Sequence, residues 1–179
     1  GTPDELLADL RGFPWAPRYR LLDGLRMAHV DEGDGAPVVM WHGEPTWGYL
    51  YRSFIEPLSR YGTVVVPDHM GFGKSETPQD RTYSTREHVD NLERLLDHLE
   101  LTAIALVGQD WGGPIGSAFA LRHPERITRL CYLNTGVPGV PPAATKTVQD
   151  LPWFAWVQTA ESEAVISNLG GSILSVLKR

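Results

Sequence analysis

The distribution of apolar and polar positions marks four runs of strand length, each bounded by turn residues: Val38 to Trp41, Thr63 to Pro67, Ala103 to Gly108 and Arg129 to Asn134. Strands that read as buried on both faces indicate a parallel sheet. Between the second and third runs lies Ser84-Thr85-Arg86-Glu87, a capping-box pattern, followed by Val89, Leu92, Leu95, Leu96 and Leu99 at helical spacing. This predicts a crossover helix. A second helix is expected from Trp111 to His123, ending at Pro124, whose ring cannot continue it and restricts the residue before it. Arg18 to Leu22 and Leu25 to Asp31, separated by Asp23-Gly24, read as an antiparallel hairpin ahead of the parallel part. Alternating strand and helix is the signature of a three-layer α/β domain, a mostly parallel sheet flanked by helices.

The pattern changes at Thr135-Gly136-Val137-Pro138-Gly139-Val140-Pro141-Pro142, a Gly/Pro-rich connection leaving the sheet. The expected division is a core over residues 1–135 and, over residues 136–179, a linker and the beginning of a helical cap that is not completed. Trp153, Phe154, Trp156, Val157, Val165, Ile166 and Leu169 give that last segment an apolar, helical character.

The 179 residues carry 16 Lys and Arg against 22 Asp and Glu, a net charge of −6, with no basic run, so nucleic acid is not an expected partner. No apolar stretch approaches the roughly 20 residues that span a bilayer, and the start lacks the basic-then-apolar pattern of a signal peptide. A membrane is therefore not an expected partner. The chain begins at Gly1 without an initiator Met, and a cytoplasmic setting is expected, with a processed secreted form as the alternative. Cys131 sits in Leu130-Cys131-Tyr132-Leu133, where a small core hydrophobe is expected.

The most specific local signal is Val107-Gly108-Gln109-Asp110-Trp111-Gly112-Gly113, which ends a predicted strand and opens a predicted helix. It matches the nucleophile elbow G-x-S-x-G with Asp in place of Ser. A β-carbon at Gly108 or Gly112 is expected to collide across so sharp a turn. Asp changes the chemistry, because a carboxylate is ionised at neutral pH and can displace a leaving group from saturated carbon without a base. The product is an alkyl ester of the enzyme. Trp41-His42-Gly43-Glu44-Pro45-Thr46-Trp47 follows the first parallel strand, where such folds supply the other half of an oxyanion hole. Gly71-Phe72-Gly73-Lys74-Ser75 has the end of a phosphate-loop pattern, but Asp68 stands where that motif needs Gly, so it reads as a tight loop. The six His show no metal-ligand spacing, and solvated or capping roles are expected for them.

Taken together, His42 to Trp47, Pro67 to Ser75 and Gly108 to Gly113, in that order, resemble the haloalkane dehalogenases of the α/β-hydrolase fold. The similarity extends to Trp153-Phe154-Ala155-Trp156, which looks like the cap segment supplying a second halide-binding tryptophan in one branch of that family. The resemblance implies Asp110 as nucleophile, Trp111 and Trp156 as halide-binding indoles, and the backbone N–H groups of Glu44 and Trp111 as the oxyanion hole. Trp153 is the competing candidate for the second indole. Glu44 favours the cap tryptophan, since relatives with Asn at that position use the amide to hold the halide. An indole N–H only donates, so a pair in a dry pocket stabilises a departing halide. Two carboxylates as near as Glu44 and Asp110 should raise one pKa by repulsion.

The implied partners are a small haloalkane, water and the halide product, with no cofactor and no metal. An epoxide hydrolase is the nearest alternative, although no Tyr follows Tyr132 to protonate an opening ring. A catalytically incomplete or ligand-binding fragment is another. Hydrolysis of the ester needs a His and an acid to orient it, both expected after the elbow, and His123 is the only His after Asp110. Asn134 occupies the place of the acid in some relatives. The chain is thus expected to be a fragment, or to have a second chain carrying its C-terminal half.

Overall fold

A computed structural model describes residues 7, 10–78, 80, 83–136, 156 and 159. The chain divides into two units, Gly1–Pro138 and Gly139–Arg179.

In the first unit, β1 (Arg18–Leu22) and β2 (Leu25–Glu32) form the expected hairpin. The strands β3 (Val38–Trp41), β4 (Val64–Pro67), β5 (Ile104–Gln109) and β6 (Ile127–Leu133) follow. They join in one sheet of order β1-β2-β4-β3-β5-β6. The four strands β4, β3, β5 and β6 run parallel, and β2 pairs antiparallel with β4. The helices are α1 (Arg52–Ser59), α2 (Thr85–His98) and α3 (Gly112–Arg122).

Side chains alternate across the sheet, so each strand feeds two cores. Val39, Trp41, Val65, Ile104 and Leu106 pack with Val89, Leu92, Leu95 and Leu96 of α2 and with Ile115 and Phe119 of α3. On the other face Met40, Val64 and Val66 pack with Tyr51, with Ile55 of α1, and with Phe13 from the N-terminal segment. The capping box forms as expected: the Ser84 hydroxyl accepts the Glu87 N–H at 3.2 Å, and the Ser84 N–H donates to Glu87 Oε2 at 3.0 Å.

Three expectations need correction. The strand β6 is not buried on both faces: Thr128 to Cys131 are exposed, because β6 is the edge strand of the described sheet and has β5 as its sole strand neighbour there. Cys131 is accordingly exposed and not a core hydrophobe. The histidines are not mainly solvated or capping, since His29, His42 and His69 are 1%, 0% and 3% exposed. The helix α1 was not legible in the sequence, because among its residues Ile55 alone is fully buried and Pro57 lies inside it.

In the second unit, Trp156 is helical and 39% exposed, and its carbonyl accepts the Thr159 N–H at 3.0 Å. Trp153, Phe154, Val157, Val165, Ile166 and Leu169, on which the reading of a cap rests, lie outside the described residues. No helix among the described residues is long and apolar enough to cross a membrane.

Candidate active site

The register of the parallel strands assembles the site. Trp41 at the end of β3 sits beside Gly108 near the end of β5, so residues 42–44 emerge next to residues 109–111. The close approach explains the glycines. A β-carbon at Gly108 would lie 2.6 Å from the Gly112 carbonyl oxygen, and one at Gly112 would run into the carbonyl of Trp41. Gly43 faces the Asp110 side chain so closely that a β-carbon there would overlap it.

Asp110 sits on the turn between β5 and α3 with φ of 52°, the left-handed region that a residue with a side chain adopts at a cost of about 1–2 kcal/mol. Neighbours hold the turn in place. The Asp110 N–H donates to the Leu133 carbonyl at 3.3 Å. Its carbonyl accepts the Thr135 hydroxyl at 2.5 Å and the Gly113 N–H at 3.0 Å. The turn pushes the half-buried carboxylate toward the β3 loop, where Oδ1 accepts the Glu44 N–H at 3.0 Å. Oδ2 has no hydrogen-bond partner among the described residues.

Glu44 is exposed as a residue, yet partial burial of its carboxyl, with the Asp110 charge adding to it, holds its pKa above the usual carboxylate value. Burial is the larger cause and repulsion the smaller. Trp111 follows Asp110 at the start of α3, with 44% of its surface exposed. The structure thus brings together Asp110, the Glu44 N–H and Trp111. Trp156 belongs to the other unit.

Two groups escaped the sequence reading. Asp68, buried behind the β3 loop, accepts the Gly48 N–H at 2.7 Å and the Lys74 N–H at 2.8 Å. Burial lifts its pKa to about 6, opposed by those two N–H donors and by the Lys74 charge. It ties the loop after β4 to the 3-10 turn Gly48–Tyr51, so the Gly71 to Ser75 segment is a tight loop wrapped around a carboxylate. The second is a cluster of His42, His69 and His88, with ring centroids 4.2 Å apart for His42 and His69 and 4.8 Å for His69 and His88. The motifs contain these residues, but no spacing in the chain shows that they meet. His123 lies away from the cluster, 2.9 Å from Glu93 of α2. Among the described residues no group of three His, Cys, Asp or Glu side chains is placed to hold a metal ion.

The chain is similar in sequence and fold to known proteins. A curated cis-3-alkyl-4-alkyloxetan-2-one decarboxylase of Shewanella oneidensis is 40% identical over 147 residues, which is 80% of this chain and 45% of that protein. A haloalkane dehalogenase of Mycolicibacterium paratuberculosis is 38% identical over 188 residues, 98% of this chain and 59% of that protein. Among solved structures, a tetrameric haloalkane dehalogenase from Paraglaciecola agarilytica superposes with a TM-score of 0.76 at 40% identity, covering 87% of this chain and 54% of that one. The chain therefore spans about half the length of these relatives. Residues 36–179, which include the elbow and the loop facing it, match the alpha/beta hydrolase fold, and the chain belongs to that family.

Proposed function

We propose that this protein contributes the nucleophilic half of a hydrolytic haloalkane dehalogenase, with Asp110 as the nucleophile. The observation that carries the reading is the Asp110 carboxylate on a strained elbow, with Oδ1 held by the Glu44 N–H and Oδ2 without a partner among the described residues. Oδ2 attacks the halogen-bearing carbon. A C–O bond forms as the C–X bond breaks, and the halide leaves with its electron pair toward the indole N–H of Trp111. The ester keeps its carbonyl oxygen at the Glu44 N–H. Water gives a proton to an activating His and attacks the carbonyl carbon, and the charge gathers on that oxygen against the Glu44 amide and, in this reading, the Trp111 amide. The carbonyl carbon–Oδ2 bond then breaks to release the alcohol and leave the Asp110 carboxylate. Hydrolysis of that ester needs this His to activate water and an acid to orient it.

The decarboxylase relative supports a second reading, in which the same carboxylate opens a strained four-membered lactone. Incubation with 1-bromobutane, with a cis-3,4-dialkyl-oxetan-2-one and with an epoxide, read by intact mass and product analysis, separates the readings. The expected result is bromide release with a butyl ester on Asp110, absent from Asp110→Asn. Carbon dioxide from the lactone alone supports the decarboxylase, diol from the epoxide alone an epoxide hydrolase. A folded sample that reacts with none of the three is a ligand-binding remnant.

A further inference from the structure

Parallel neighbours β3 and β4 end side by side, which brings His42, the first residue after β3, against His69, the second after β4. Both side chains are buried; His42 uses both ring nitrogens on backbone, and His69 uses Nε2, its Nδ1 having no hydrogen-bond partner among the described residues. His42 Nδ1–H donates to the Gly43 carbonyl at 2.9 Å, while Nε2 accepts the His69 N–H at 2.8 Å. His69 Nε2–H returns a hydrogen bond of 2.6 Å to the His42 carbonyl. These partners dictate the tautomers. A ring nitrogen facing a carbonyl must carry the proton, and one facing an N–H must not.

The Gly43 carbonyl and the Glu44 N–H belong to one planar peptide unit, and it is this unit's N–H that meets Asp110. In a trans unit the two groups point in opposite directions. Fixing the carbonyl on the His42 side therefore aims the N–H at Asp110 Oδ1, 3.0 Å away. Thr46 assists from within the turn, its N–H at 3.0 Å and its hydroxyl at 2.9 Å from the same carbonyl oxygen. Local contacts from Thr46 close the turn. The imidazole ties it to the sheet.

We propose that His42 and His69 are positioning residues, a coupled pair of neutral imidazoles that orients the Gly43–Glu44 peptide and so aims its N–H at the Asp110 carboxylate. The role in catalysis rests on the dehalogenase reading, but the orientation of the peptide does not. Burial keeps the pair neutral, lowering His42 to about 4 and His69 well below the ordinary imidazole range. The neighbouring His88 of α2, itself lowered by burial and raised by Glu87, opposes a charge on either ring.

Two measurements test the pair. Nitrogen-15 NMR of the wild-type protein at pH 7 should show His42 as the Nδ1–H tautomer and His69 as the Nε2–H tautomer. The opposite tautomers, or a cationic ring, overturn the proposal without any variant having to fold. In His42→Phe, which keeps a ring but no donor, hydrogen exchange of the Glu44 amide should quicken about tenfold. Alkylation of Asp110 by 1-bromobutane should slow by about 10- to 100-fold, because a carboxylate no longer held through Oδ1 loses the orientation that aims Oδ2 at the carbon. The bromobutane concentration giving half-maximal rate should stay within about twofold, because the pair touches no substrate. His42→Asn places an amide N–H near the position of Nδ1 and should recover most of the rate. A folded His42→Phe with unchanged Glu44 exchange defeats the proposal. If exchange responds as stated but wild-type Asp110 is never alkylated, the positioning stands and the dehalogenase reading falls.

Discussion

Single residues set the charge state of this site. His29, His42, His69 and His88 are all held below the ordinary imidazole value, each chiefly by burial. Each is neutral in the fold and free to take a proton once unfolded, so between its lowered and its ordinary value unfolding takes up protons. Stability is therefore lost as the pH falls through that window. Asp68, raised to about 6, and Glu44, also raised, act in the opposite sense, since the folded form holds their protons longer. The four imidazoles outnumber the two carboxylates. Urea unfolding at stepped pH should show stability flat above about pH 7 and falling between about 6.5 and 4, by about 1.4 kcal/mol per pH unit for each net proton. A constant or rising stability on acidification would contradict this burial of neutral imidazoles. The sequence placed all of these residues in its motifs or elements, yet their burial depends on neighbours far along the chain. Asp110 was legible by itself because its flanking glycines record the turn it occupies.

At the scale of elements, local signals carried furthest where the physics is local. The Ser84 to Glu87 box is satisfied by backbone groups within one turn, so the start of α2 could be read directly. Replacement of Ser84 by Ala should cost about 1 kcal/mol and lower the melting temperature by about 2–4 °C, as followed by circular dichroism. Gly112→Ala should be worse despite adding one carbon, since the new atom would meet the carbonyl groups of Trp41 and His42 and not a side chain able to rotate. Overpacking of this kind costs about 1–3 kcal/mol, and the same scan should register it as a larger drop than Ser84→Ala. If Gly112→Ala melts with the wild type, the elbow is looser than its geometry implies. In α1 the local signal is weak, and its place is decided by Ile55 and Tyr51 meeting the back of the sheet.

At the scale of the whole molecule, β6 is the exposed edge of the described sheet, and between β6 and α3 lies a groove of about 280 Å³ lined by Ala120, Leu121, Ile127, Leu130 and Tyr132. His123, the only His beyond Asp110 in the 179 residues, is engaged with Glu93 and Glu125. Both nitrogens of His42 are engaged with backbone, and among the described residues no imidazole is hydrogen-bonded to the Asp110 carboxylate, where water would have to be activated on the ester. With excess 1-bromobutane, the 179-residue chain should accordingly release bromide in a single burst near one equivalent and retain the ester, as read by ion chromatography beside intact mass. Sustained turnover from these residues alone would mean that another group activates the water. The net charge of −6, with no basic run, gives no electrostatic pull toward a polyanion.

Sequence alone determined what short-range physics encodes: the strands and their succession along the chain, the capped crossover helix, and the Gly108-Gln109-Asp110-Trp111-Gly112 turn whose glycines leave room for a strained acid. Tertiary structure decided which of those residues meet. The Glu44 N–H reaches a carboxylate 66 positions away, and His69 pairs with an imidazole 27 positions before it, because β3 lies between β4 and β5. Strand order within a sheet comes from packing both faces at once. A side-chain period of two records which face a residue points to, but not which strand lies beside it.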